Sequence, residues 1–219
     1  MSKHLQRQIE VLKEKILLVG TLVEDAIAKA ISALVNRNGD LARSIIERDS
    51  EIDRMEVDVE EECLKVLALY QPVAADLRFV VAVLKINNDL ERMGDLARNI
   101  AKRVAYLASH ERIDLPAEFR SMASKAQSMV RRSLDALVNR DTLIARQIRD
   151  DDDEVDAMQR IIRDRIETQI RQDPERFELY MRLLSASKHL ERLADMATNI
   201  AEDVIYMVEG DIVRHRTGD

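Results

Sequence analysis

Apolar residues recur at alternating spacings of three and four along most of the chain. The clearest run covers residues 86–107, and a matching run covers residues 186–207. This spacing places the apolar side chains on one face of a helix and is typical of a seam in an antiparallel, coiled-coil-like bundle. The positions are Ile86, Leu90, Met93, Ala97, Ile100, Val104 and Leu107, and then Ala186, Leu190, Leu193, Ala197, Ile200, Val204 and Met207.

Proline and turn residues interrupt this pattern. Pro72, Pro116 and Pro174 each follow one helical segment and open the next, where a missing N–H carries no penalty. Residues 38–40 (Asn-Gly-Asp) and 139–141 (Asn-Arg-Asp) add two breaks with turn chemistry. The breaks predict six helices, at 3–36, 41–70, 73–109, 116–138, 142–172 and 175–209.

The sequence also repeats itself. ALVNR at residues 33–37 recurs at 136–140, and LERMGDLARNIA at 90–101 recurs as LERLADMATNIA at 190–201, with eight of twelve positions identical. Three helices are therefore followed by three equivalent helices. We predict an all-α fold in which six helices form two tandem, pseudo-symmetric antiparallel three-helix bundles, the first repeat over 1–112 and the second over 113–219.

Composition narrows the class further. Aromatic residues make up 3% of the chain, with 5 glycines and 3 prolines, which disfavours β-sandwiches and barrels. The 34 Lys and Arg against 41 Asp and Glu leave a net charge of −7, so duplex DNA is not an expected ligand. The single cysteine, Cys63, falls among apolar helix positions and predicts a buried, inert thiol in a reducing compartment.

The start of the chain lacks the apolar segment of a signal peptide. The longest apolar run, Phe79–Leu84, is far shorter than the roughly 20 residues that span a bilayer. These features predict a cytoplasmic protein.

Pairs of acidic residues spaced by four positions are the candidate functional residues of this chain. Such residues share one helix face, where two negative charges repel, and a bound cation would remove that repulsion. Oxygen ligands suit hard or borderline ions such as Mg, Ca, Mn or Fe. The pairs occupy equivalent places in the two repeats: Asp49 with Asp53, Glu91 with Asp95, Asp152 with Asp156, and Glu191 with Asp195.

An ordinary solvated surface would also carry such pairs, since 34% of the residues are charged. The repeat favours a role in binding a cation or a partner, because the outward Glu, Arg, Asp and Asn of LERxxDxAxNIA recur while Arg98 and Lys102 are exchanged for Thr198 and Glu202. No Glu-x-x-His occurs, so the ferritin-like di-iron signature is absent from the sequence.

The paired segments NNDLERMGDLARNIA (87–101) and ASKHLERLADMATNIA (186–201) resemble the PhoU family of phosphate-signalling regulators, and the resemblance covers essentially the whole chain. It implies a cytoplasmic, commonly dimeric all-α protein that is not an enzyme. Such a protein would act in negative regulation of the phosphate-starvation response and limit high-affinity phosphate uptake. Its implied partners are the ATPase subunit of a phosphate ABC transporter and a membrane sensor histidine kinase, so it would reach the membrane only through them.

The resemblance also implies multinuclear metal ions (Fe, Zn, Mn or Mg), because some members bind metal clusters through repeated E/D-x-x-x-D motifs. The four acidic pairs named above match those motifs, and Asn99 and Asn199 lie one turn further on. The second repeat has Gln127 and Ser128 where the first has two acids, Glu24 and Asp25, so the two sites are expected to be unequal.

Two other function classes stay open on the sequence alone. A carboxylate-bridged metalloenzyme or metal-storage bundle would use the same acids, although histidine ligands are missing. A purely structural coiled coil would explain the apolar seams but leaves the repeated acids without a role.

Overall fold

The computed structural model describes residues 3–48 and 50–211. Most of these residues lie in helices, and the described part contains no strand. The helices are α1 (Lys3–Asn36), α2 (Gly39–Arg48), α3 (Ser50–Tyr70), α4 (Ala74–Ala108), α5 (Glu118–Asn139), α6 (Thr142–Gln172) and α7 (Phe177–Glu209). A short 3₁₀ turn, Pro174–Arg176, precedes α7.

The predicted helix over 41–70 corresponds to α2 and α3 together. These two helices flank Asp49, which lies outside the described residues. The prediction of a helix starting at 175 was early by two residues, because Pro174 opens a 3₁₀ turn before α7 begins at Phe177. The all-α, repeated fold is confirmed.

Both repeats end their first long helix with the same left-handed turn. Arg37 has a φ of 54° and Arg140 a φ of 53°, and the following N–H groups bond back to the carbonyls of Ala33 and Ala136 at 2.9 and 3.0 Å. The next helix is then capped. Asn38 Oδ1 accepts from the N–H of Leu41 at 3.0 Å in the first repeat. In the second, Asp141 Oδ1 accepts from the N–H groups of Leu143 and Ile144. The two predicted breaks are confirmed.

Each repeat buries its third long helix against the other helices of its own bundle. In the first repeat α4 packs against α1, α2 and α3, and in the second α7 packs against α5 and α6. The bundles are joined by extensive packing of α4 on α7 and by contact of α1 with α5. All fourteen stripe positions of α4 and α7 predicted from the periodicity are buried. The division of the chain at residue 112 stays a prediction.

Candidate functional site

The four predicted acids of the second repeat face one another across the packed helices α6 and α7. The pKa of Asp152 is raised to about 6, chiefly by burial and then by the negative charges of Asp195 and Asp156. Asp153 and Glu191 add smaller contributions in the same direction. The structure therefore brings the two sequence pairs of this repeat into a single acidic cluster.

The two acids that α7 contributes to this cluster, Glu191 and Asp195, also have raised pKa values. Burial raises the pKa of Glu191, and so do the charges of Asp156 and Asp195. Partial burial and the charge of Asp156 also raise the pKa of Asp195. Asp152 Oδ1 is buried and has no hydrogen-bond partner in the structure. The cluster thus holds carboxylate oxygens whose negative charge is not fully offset.

The first repeat forms a corresponding cluster between α3 and α4. Burial raises the pKa of Glu91, followed by the charges of Asp95, Asp53 and Glu56. Burial and the charges of Glu60 and Asp53 also raise the pKa of Glu56. Asp53 is exposed, whereas Glu91 and Asp95 are half-buried. Asp49, the fourth predicted acid, lies outside the described residues.

Two contacts set the first cluster apart. The Asn87 side-chain amide donates to the backbone carbonyl of Glu56 at 2.9 Å and lies 3.4 Å from its Oε1 atom. Arg98 Nη2 donates to Asp95 Oδ1 at 2.6 Å. In the second repeat Thr198 stands where the first has Arg98, and buried Gln159 stands where the first has Glu56. The two clusters therefore differ at these positions, while the inequality expected from the helix 1 acids stays a prediction.

Glu24 and Asp25 on α1 are the two acids that could enlarge the first site. Asp25 is exposed and forms an ion pair with Lys29 at 2.5 Å. Glu24 is half-buried, as are Asn99 and Asn199. Their participation in a site stays a prediction.

Asp151 is a structural residue that the sequence argument did not single out. Its carboxylate accepts hydrogen bonds from Lys125 Nζ at 2.6 Å and from Arg132 Nη1, both on α5. Burial alone would raise the pKa of Asp151, but these two hydrogen bonds outweigh burial and lower it. Asp151 therefore ties α6 to α5, while its neighbour Asp152 turns toward α7. The run of four aspartates at 150–153 was the available signal.

The spacing of α3 and α4 depends on Gly94, which lies between Met93 and Asp95. A Cβ atom at Gly94 would lie 3.0 Å from Cδ1 of Ile52. The second repeat has Ala194 and Val155 at these two places, so a larger residue on one helix is matched by a smaller residue on the other. The combined size of the two side chains is therefore the same in both repeats, at a helix contact that lies beside the acidic cluster of each repeat.

The side chains as positioned do not already form a metal cage. Among residues 3–48 and 50–211, no group of three or more His, Cys, Asp or Glu side chains is arranged to hold a metal ion. Four like charges repel one another, so an arrangement with the carboxylates apart is favoured when no cation lies between them. The donor chemistry and the orphaned Asp152 oxygen fit a hard or borderline cation.

Comparison with known proteins decides the family. The family model for the PhoU domain matches residues 16–104 and again residues 119–204. The chain belongs to the PhoU family. The two matches coincide with the two acidic clusters, one in each PhoU domain.

PhoU relatives are similar over nearly their whole length. The chain is 39% identical over 210 residues to a phosphate-specific transport system accessory protein PhoU homolog of Aquifex aeolicus, covering 96% of this chain and 95% of that protein. It is 33% identical to the accessory protein PhoU of Serratia marcescens, covering 100% and 92%.

Solved PhoU structures share the fold. The crystal structure of PhoU from Pseudomonas aeruginosa superposes with a TM-score of 0.91 at 34% identity, covering 94% of this chain and 99% of that one. The phosphate transport system regulatory protein PhoU from Streptococcus pneumoniae gives 0.87 at 30% identity, covering 95% and 99%. Within the described ranges, none of the helices is at once long and apolar enough to cross a membrane.

Proposed function

We propose that this chain is a cytoplasmic negative regulator of the phosphate-starvation response and of high-affinity phosphate uptake. The observation that carries the proposal is the near full-length similarity to proteins named as accessory or regulatory proteins of the phosphate transport system. The protein acts as a homodimeric adaptor between the transporter ATPase subunit and the sensor histidine kinase, with no catalysis of its own.

An adaptor works by differential binding. It shifts a partner between two states only by the difference in its affinity for them. Exposed apolar side chains at the α3–α4 connection support a contact with a partner protein: Leu69 and Val73 are each 74% exposed. The second repeat has the polar Gln172 at the place of Leu69, and its own exposed apolar residue at this end is Phe177, which is 50% exposed.

The acidic clusters give the adaptor a place to bind cations. The proposed ligands are Asp49, Asp53, Glu91 and Asp95 in the first repeat, and Asp152, Asp156, Glu191 and Asp195 in the second. The raised pKa values of Asp152, Glu91 and Glu191 support this assignment: burial is the largest cause, and the neighbouring carboxylates, whose charge a cation would offset, add to it. A bound ion would link α3 to α4 and α6 to α7.

Regulation is tested in a deletion strain that carries a phosphate-starvation reporter. In high phosphate the reporter is expected to switch on in the deletion strain and to switch off when the wild-type gene is restored. A reporter that stays off without the gene would contradict negative regulation.

Metal binding is tested by elemental analysis of the purified protein. The Asp152→Asn/Glu191→Gln and Asp49→Asn/Glu91→Gln variants are each expected to lose the metal of one site. Asp164→Asn/Glu167→Gln is the matched control, since both acids are exposed on α6 and belong to neither cluster. Equal metal content in the wild-type protein, the two cluster variants and the control variant would contradict the assignment of these acids as ligands.

A further inference from the structure

A cavity of about 320 Å³ lies where the connection between the two repeats crosses the ends of α1 and α4. Its volume falls at the lower end of the roughly 300–1,000 Å³ range of small-molecule sites, which often lie between structural units. Much of the lining is aliphatic and comes from both repeats: Leu34, Val35, Val104, Leu107, Ile113 and Leu183.

Three arginines also line this cavity, against a single acid. Arg37, Arg112 and Arg120 contribute three positive charges and Asp114 one negative charge, so the lining carries a net charge of +2 in a chain of net charge −7. Arg112 and Arg120 are exposed, and neither forms an ion pair with any residue that the structure describes. This local excess of positive charge favours an anionic ligand.

Arg37 is fixed in place before any ligand binds. Its guanidinium donates to the backbone carbonyls of Leu107, His110 and Glu111, the last of these at 2.7 Å. These acceptors are uncharged carbonyl groups, and no carboxylate among residues 3–48 and 50–211 forms an ion pair with Arg37. A cation that is already held rigidly loses little entropy when an anion arrives.

The chemistry of the lining limits the class of ligand. Among the described residues around the cavity there is no aromatic ring on which a base could stack and no side-chain amide to read a base edge. The aliphatic surface instead suits a saturated body, and the arginines suit a carboxylate or phosphate, which guanidinium groups bind with paired hydrogen bonds.

We propose that this cavity binds a small amphipathic anion, with its carboxylate or phosphate head against the arginines and its aliphatic body on the apolar lining. The site is separate from the acidic clusters and does not depend on the proposed function. Because Val104 belongs to the first repeat and Arg120 to the second, a bound ligand would contact both bundles at their junction.

Calorimetric titration of the full chain with decanoate and with decyl phosphate tests the proposal. At least one of them is expected to bind saturably with one site per chain. The probe that binds then shows whether the site takes a carboxylate or a phosphate head group. The Arg112→Ala/Arg120→Ala variant is expected to weaken binding about tenfold or more, because each arginine contributes a charge-assisted contact. Both side chains are exposed and unpaired within the described residues, so the thermal midpoint should stay at the wild-type value.

Arg131→Ala is the matched control, since Arg131 is exposed on α5 and does not line the cavity. It removes one positive charge that lies outside the cavity and should leave the affinity unchanged. Three results would each overturn the proposal: no saturable binding of either ligand, an equal loss of affinity in the Arg131 control, or equal affinity for uncharged decanol. Binding of inorganic phosphate as tight as that of decyl phosphate would overturn the amphipathic character of the ligand.

Discussion

Gly94 on α4 lies directly against Ile52 on α3, so that a Cβ atom at Gly94 would lie 3.0 Å from the Ile52 Cδ1 atom. The second repeat holds Ala194 and Val155 at the same two places. We expect the residues of each pair to be energetically coupled. Gly94→Ala should be more favourable in an Ile52→Val background than in the wild-type chain, by about 0.5–3 kcal/mol. Urea denaturation of the two single variants and the double variant measures this coupling, and additive effects would contradict it.

The acidic cluster of the second repeat should cost stability at neutral pH when no metal is present. Asp152 has a folded pKa of about 6 against an ordinary value of 3.8, so the folded state prefers the protonated acid. The penalty is absent below pH 3.8 and complete above pH 6. Asp152 is only half-buried, so solvent screens part of this penalty. With chelator present, Asp152→Asn should therefore stabilise the protein by about 1–2 kcal/mol at neutral pH, and most of the gain should be lost by about pH 4.

The matched control for that experiment is Asp153→Asn, an exposed neighbour on the same helix. Its effect on the free energy of unfolding should be small at both pH values. A stabilisation by Asp152→Asn that is equally large in acid would show that charge repulsion is not its cause.

Metal should bind the second site less well in acid. A carboxylate must lose its proton before it coordinates a cation, and Asp152 with its pKa of about 6 holds that proton across the weakly acidic range. In the Asp49→Asn/Glu91→Gln variant, which leaves only the second site, metal uptake and the metal-dependent rise in thermal midpoint should fall between pH 7 and pH 5. Uptake that is independent of pH would exclude Asp152 as a ligand.

Cys63 should resist thiol reagents while the protein is folded. The side chain is fully buried, and burial raises the pKa of its thiol to about 12, so almost no thiolate exists at pH 8. Labelling with an aromatic disulfide should be slow in buffer and complete in denaturant. Cys63→Ala/Leu64→Cys is the control, because Leu64 is 54% exposed and a thiol there should react at once.

Arg37 should hold the connection between the repeats in place. Its guanidinium binds backbone carbonyls of Leu107, His110 and Glu111, so Arg37→Ala leaves these acceptors without their donor. We expect a loss of about 1–3 kcal/mol and faster amide exchange at residues 109–117. Arg140→Ala removes the same side chain from the equivalent left-handed position and should leave exchange in that connection unchanged.

The fold follows from signals that are local in the sequence. Spacings of three and four predicted which residues of α4 and α7 would be buried, and all fourteen are. Turn residues such as Asn38 and Asp141 predicted where helices begin, because their side chains cap the N–H groups that follow. The repeat then showed that two equivalent bundles would form.

The partners of individual charges could not be predicted in the same way. Asp151 and Asp152 are neighbours of one residue type, yet Asp151 pairs with α5 and Asp152 joins the cluster on α7. That difference depends on where the neighbouring helices lie, which periodicity along one helix does not contain. The contact of Arg37 with Leu107 joins residues 70 positions apart and has no signature in the sequence.

The packing of α4 on α7 has a consequence for folding. Each of these helices is the central element of its own bundle and also the surface by which the two bundles adhere. A half-chain would leave that apolar seam in water and would self-associate through it. The two repeats are therefore expected to fold in one cooperative transition. In this respect they resemble the two subunits of a symmetric dimer, except that one chain joins them.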